Sequence, residues 1–307
     1  SDLEINLHHD NTIKEVFNRT IAAKKRKIFW DLNPDNPNAP IYKEYIDKYK
    51  KKYEEGTLIG GYNYQHFTID DNVNIPDERK EEIKSQYDKN SIWYQRDILG
   101  KRCIAEGLIY RQFANNPEKY IIDNKDIANL VKIVIGVDFG GTGSGHVFIA
   151  TGFTYGFKEI IALASERHFG DDIDPEKLGE LFTDFVKKIN HKYGFAEVAY
   201  CDSAEQVLIR GLRNAAIKEG LTLRVTDAWK AIVNDRINAT TKLIAQGRFK
   251  YTEDCETLKD ALSSAIWNPK EITKNERLDD GTSDIDTLDG FEYSFERDIR
   301  RLLDAFV

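Results

Sequence analysis

Four aspartates and one lysine in this 307-residue chain are the side chains whose types and places could do chemistry. Asp138 closes the apolar run VIGV and leads into FGGTGSG. Asp202 closes EVAYCD, and Lys230 lies in DAWKAI. Asp286 and Asp289, in SDIDTLDGFEYSF, are three apart, so a helix would carry both on one face. Hard divalent cations take several carboxylate oxygens, and two-metal phosphodiester cleavage needs ions about 3.5–4 Å apart. Each residue also has a plainer reading. An aspartate ending a strand often begins a turn, aspartates in a first helical turn complement the dipole, and a lone lysine is most often solvated. Taken together, the four acids point to a site for Mg²⁺ or Mn²⁺, two ions, on a phosphodiester.

Such a site needs elements that bring the acids together. From residue 131 three β-type runs follow one another, VKIVIGVDF, HVFIATGFTY and KEIIALASERHF, and their short joins predict an antiparallel meander. DPEKLGELFTDFVKKINHKYG then sets Leu178, Leu181, Phe182, Phe185, Val186 and Ile189 on one helical stripe. The strand EVAYCD, the helix AEQVLIRGLRNAAIKEG and the strand LTLRVTDA imply right-handed parallel crossovers. With a terminal helix, the order is that of the ribonuclease H-like fold, an α/β class with a mixed sheet. In open sheets of this kind, ligands lie at the carboxyl ends of parallel strands, where Asp138 and Asp202 fall. A terminal helix packed over those strands would add Asp286 and Asp289.

The first part of the chain reads differently. IKEVFNRTIAAKK, IYKEYIDKYKKKYEE, DERKEEIKSQY and IWYQRDILGK predict helices and KIFWDL a strand, while Pro34, Pro37 and Pro40 exclude regular structure between them. ANNPEKYIIDNKD reads as a connector, which sets the expected domains at 1–125 and 126–307. No apolar run reaches membrane-span length and no signal-type segment opens the chain, so a soluble, cytoplasmic protein is expected. Cys103, Cys201 and Cys255 are far apart and read as reduced. A net charge of −8 argues mildly against nucleic acid, although Lys24–Lys27 and Lys48–Lys52 are local basic runs that read as solvated faces. The chain has no methionine, not even an initiator, and so reads as a trimmed piece of a longer protein or one from which labelled methionines are missing.

The glycines admit a rival reading. GVDFGGTGSG is also what a sugar-kinase or actin-like phosphotransferase shows at its first phosphate loop. Such enzymes need a second Asp-Gly-Thr-type loop and a Gly-Gly adenosine loop, and here Asp202 is followed by SAEQ.

Seven segments in order, KIFWDLNPDNPNAPIYKEYI, HFTIDDN, WYQRDILGKRCIAEGLIYRQF, VIGVDFGGTGSG, VAYCDSAEQVLIRGLR, DAWKAIVNDRINATTKLI and IDTLDGFEY, resemble the large subunit of the DNA-packaging terminases of tailed phages and prophages. That resemblance implies the carboxyl part of a P-loop-type ATPase domain followed by a ribonuclease H-like nuclease, an endodeoxyribonuclease acting on concatemeric double-stranded DNA. It implies Asp138, Asp202 and Asp289 as metal and catalytic residues, with Asp289 in an Asp-Ala-x-x-Tyr-like place that ends at Tyr293. Asp286 stands where relatives often carry histidine, as ligand, general base or bystander. Lys230 matches a lysine near the site, and with Arg236 is expected to contact phosphates. The resemblance also implies a small terminase subunit and the portal protein as partners, at the procapsid portal of a bacterial host cell. No G-x-x-x-x-G-K-[ST] occurs, so ATPase activity is not expected. Glu4 reads as a remnant of the acidic ATPase motif, and Asn33 either as part of a nucleotide-coupling region or as a turn asparagine.

Overall fold

The computed structural model describes residues 10–24, 27–37, 39–141, 144–170, 173–271, 275–280 and 283–304; Glu4, Lys25, Arg26 and Gly143 lie outside them. The described residues group into two compact units. The first is drawn from 1–84, 89–105 and 269–275, and the second from 85–88, 106–268 and 276–307.

In the first unit, α1 (Asp10–Arg19) is followed by a π-helical turn, Ile41–Ile46, that runs directly into α2 (Asp47–Glu54). Ile41, Tyr42, Tyr45 and Ile46 bury against Ile13, with Phe17 and Trp30 packed edge to face at 5.6 Å. Pro40, expected to exclude structure, opens a helix instead, because a first helical turn has no use for its missing N–H. α2 buries none of its residues, so Lys48–Lys52 is the solvated face its composition suggests. KIFWDL forms no strand among the described residues, and only its Asp31 makes a bridge. Asn33 lies exposed in the irregular stretch before Pro34. α3 (Asp77–Ser85) and a π-helical turn, Tyr94–Ile98, account for the other two expected helices.

The second unit holds the mixed sheet. β1 (Leu130–Asp138), β2 (His146–Thr154) and β3 (Ile160–His168) form the antiparallel meander, while β4 (Val198–Cys201) runs parallel to β1 and β5 (Arg224–Asp227) parallel to β4. Beyond the expected elements lies β6 (Phe249–Tyr251), parallel to β3, so the sheet order is β5-β4-β1-β2-β3-β6. A three-residue strand carries too little pattern to be read in advance.

α4 (Arg111–Asn115) precedes the sheet and belongs to this unit, as does all of 106–125. Phe113 packs on Tyr120, Phe249 and Tyr251, and Ile122 donates its N–H to the Tyr251 carbonyl at 2.9 Å. The compact units part near residue 105.

Between the strands lies α5 (Pro175–Tyr193), capped by the Asp174 carboxylate on the Lys177 N–H at 2.8 Å. It buries Leu178, Phe182, Phe185, Val186 and Ile189 with Ile135, Val137 and Phe148 of the sheet and with Ile209 and Leu212 of α6 (Gln206–Lys218). α7 (Val233–Ala245) and α8 (Glu256–Ser264) flank β6. The terminal helix α9 (Ile285–Phe295) continues through a 3₁₀ turn, Glu296–Asp298, into α10 (Ile299–Asp304).

α9 crosses β1 at a pair of glycines. A Cβ on Gly136 would fall on the Gly290 carbonyl oxygen, far inside contact distance, and one on Gly290 would lie 3.0 Å from Val147 Cγ1. Only glycine lets the helix backbone rest this low on the strand, which carries the first turn of α9 towards the end of β1. Among the described residues no helix is long and apolar enough to cross a membrane.

Candidate functional site

Asp138 is the last residue of β1 and is 8% exposed. Asp202 follows β4, its N–H bonded to the Val137 carbonyl at 3.0 Å, so the two acids end neighbouring parallel strands. The Asp284 side chain caps α9 on the Thr287 N–H at 3.0 Å and fixes where the helix starts. That start sets Asp286 and Asp289 facing Asp138. Burial raises the Asp138 carboxyl to about 8, with Asp289, Asp202 and Asp286 each adding to the rise and Lys230 opposing it. The structure thus brings all five sequence-derived residues into one electrostatic neighbourhood.

Within it their surroundings differ. The Asp138 carboxyl accepts no hydrogen bond among the described residues. Asp202 Oδ1 pairs with Lys230 Nζ and accepts from the Ala204 N–H at 2.9 Å, closing a turn where the rival reading needs a second phosphate loop. Asp289 Oδ1 accepts from Arg236 at 3.1 Å and from Arg277 at 2.5 Å. Asp286 Oδ2 accepts from Arg167 at 2.7 Å and from the Gly145 N–H at 3.2 Å, and the same guanidinium reaches Asp284 at 2.9 Å. As the side chains stand, no three carboxylate, imidazole or thiol groups among the described residues lie close enough to share one ion. The donor set nevertheless suits a hard cation. The Asp138 carboxyl, without a hydrogen-bond donor among the described residues, faces three further carboxylates, and oxygen-rich, net-negative surroundings are what Mg²⁺ and Mn²⁺ require.

Beneath Asp289 lies a buried ionic layer that the sequence reading did not contain. Glu292, fully buried, accepts from Arg277 at 2.9 Å and Tyr110 at 3.2 Å and lies 3.1 Å from Arg236. Burial lifts its carboxyl to about 7 against the pull of the two guanidinium groups. Tyr293 is pushed well up by burial and by Asp289, Asp138 and Asp202, and its ring lies under Arg236 at 5.2 Å. Arg236 is itself 3% exposed. It therefore orients Asp289 and does not reach out to phosphates, a correction that follows from its helix face turning inward. The one signal that could have found Glu292 is its spacing of three from Asp289.

The glycines of the hairpin mostly serve the hairpin. A Cβ on Gly140 would meet the backbone of Gly145 and Ser144 at 2.6 Å, and one on Gly145 would meet Arg167 at 2.8 Å. Gly141 alone of these three has open space around it.

No family model matches the chain and no curated protein matches it in sequence. Solved structures do. The large terminase of a thermophilic bacteriophage, in one crystal form, superposes at TM-score 0.73 with 22% identity, over 98% of this chain and 69% of that one. A second crystal form of the same protein gives 0.73 and 22%, over 95% and 67%. Its complex with ATP-gamma-S gives 0.72 and 20%, over 95% and 69%. The chain has the fold of a large terminase along nearly its whole length, with the ribonuclease H-like sheet in its second unit.

Proposed function

We propose that this chain is part of the large subunit of a viral DNA-packaging terminase, and that its second unit is a metal-dependent endonuclease of double-stranded DNA. The observation that carries the reading is Asp138, a residue 8% exposed whose carboxyl has no hydrogen-bond donor among the described residues, raised to about 8 among three other acids on a sheet of terminase fold. Strongly perturbed carboxyls in such a cluster mark functional sites. Asp138, Asp202 and Asp289 would hold Mg²⁺ or Mn²⁺, with Asp286 beside them. A bound ion pair would supply an activated water and charge neutralisation for the leaving 3′-oxygen.

The chain's own groups do the rest. Arg236 and Arg277 hold the Asp289 carboxylate in one orientation, and Arg167 ties Asp286 to the hairpin. The Lys230 ammonium, beside Asp202, steadies the scissile phosphate as a point charge. Gly141 leaves room for a phosphate backbone at the lip of the site. In the same proposal, the first unit belongs to an ATPase domain and the second to the nuclease, the partners are a small terminase subunit and a portal protein, and the setting is the cytoplasm of a bacterial host.

Nicking of supercoiled plasmid in Mg²⁺ or Mn²⁺, against an EDTA control, tests the reading. The parent should cut only with metal, and Asp138→Asn, Asp202→Asn and Asp289→Asn should not cut. A parent that does not cut, or an Asp138→Asn variant that cuts at the parental rate, overturns it.

A further inference from the structure

The 3₁₀ turn that ends α9 holds a buried carboxylate against the loop that carries Lys230. Glu296, 2% exposed, accepts three successive backbone N–H groups of that loop, which follows β5: Trp229 at 2.5 Å and Lys230 at 3.0 Å on Oε1, and Ala231 at 2.8 Å on Oε2. A carboxylate on consecutive N–H groups is the anion-and-nest arrangement, here satisfied within the chain. The clamped loop is otherwise open to solvent, with Trp229 64% and Ile232 70% exposed. Lys230 sits at φ +54°, a left-handed conformation that a residue with a Cβ keeps only when its surroundings impose it. From that conformation its ammonium reaches Asp202. The turn holding Glu296 is anchored on both sides, by Arg297 donating to the Asp227 carbonyl at 3.2 Å and by Lys132 on Asp298 at 2.5 Å.

We propose that Glu296 is a positioning residue for Lys230: by clamping residues 229–231 it sets the backbone conformation from which the ammonium is presented beside Asp202 to a DNA phosphate. This rests on the nuclease reading. One helix then carries acids of the site at its start and, at its end, the clamp for the cation opposite them. Glutamine in place of Glu296 has one accepting oxygen rather than two and sets an N–H against an N–H, so the loop must shift. A displacement of about 1 Å at a catalytic group costs up to roughly a hundredfold in rate.

The test is a double-mutant cycle between Glu296→Gln and Lys230→Ala, read in two ways. Cleavage of saturating plasmid in Mn²⁺ should fall about ten- to a hundredfold in Glu296→Gln, and Glu296→Gln should cost nothing further in the Lys230→Ala background. In EDTA, duplex binding should lose about one unit of salt slope in each single variant and no more in the double. Independent, multiplying losses in both readouts overturn the inference, since a merely structural glutamate would weaken the two backgrounds alike. Should Glu296→Gln melt below the assay temperature, Glu296→Asp, which keeps the charge but not the reach, takes its place in the cycle. A parent that never cuts overturns the nuclease reading, and the binding arm still decides the clamp.

Discussion

Replacing Asp138 by asparagine should stabilise the metal-free protein, and by an amount that grows with pH. The Asp138 carboxyl stands at about 8 instead of 3.8, so between those values the folded state holds a proton that the unfolded chain has lost. Stability of the parent therefore falls as pH rises through that window, and the destabilisation is complete above the folded value. At about 1.4 kcal/mol per pH unit, the shift corresponds to a ceiling of about 6 kcal/mol. Lys230 and water entering an opened site screen part of it, so the gain of Asp138→Asn should be about 2 kcal/mol larger at pH 9 than at pH 5. Urea unfolding of both proteins in EDTA, at unit steps from pH 5 to 9, measures it, and groups common to both cancel in the difference. Adding Mn²⁺ should reverse the order, stabilising the parent by about 2.7 kcal/mol at a hundredfold excess over its dissociation constant and the variant by less. A difference that stays flat with pH, or an asparagine variant less stable at pH 9, would refute the account of Asp138 as a buried acid held against its neighbours.

Gly136→Ala should destabilise the second unit by about 3 kcal/mol or more and abolish cutting, because its Cβ falls on the Gly290 carbonyl and must lift α9; unfolding midpoints of the variant check it. Asp286→Asn should keep Mn²⁺ binding and lose only part of the cleavage rate, since Asp286 is tied to Arg167 and Gly145; calorimetric loss of metal binding would instead make it a ligand. DNA affinity should be weak, sequence-independent and falling with salt, given the net charge of −8, and a salt-insensitive complex in a mobility-shift titration would contradict this. The chain as it stands should not turn over ATP, since it has no phosphate-binding loop of the G-x-x-x-x-G-K-[ST] type; phosphate release above a no-enzyme blank would count against this.

Local pattern carried a great deal of this protein. The meander, α5 with its stripe and its aspartate-proline start, β4, α6 and β5 all follow from periodicity and punctuation, because those signals are properties of neighbouring residues. The acids that end β1 and β4, and the pair on α9, were legible for the same reason: their places are set by the element each belongs to. What depends on two distant segments meeting was not legible. KIFWDL has strand composition yet only Asp31 makes a bridge, β6 is a strand only because β3 lies beside it, and 106–125 joins the second unit through Phe113 packing edge to face on Phe249 and Tyr251, far along the chain. Arg236 read as a surface cation and is buried between Asp289 and Glu292, while Arg167, Arg277 and Glu296 gave no local sign of their roles. An arginine's sequence neighbours say only that it is charged; which carboxylate it meets, and whether water reaches it, is decided when α9 settles on β1 at Gly136 and Gly290 and brings residues about 150 apart in sequence into contact.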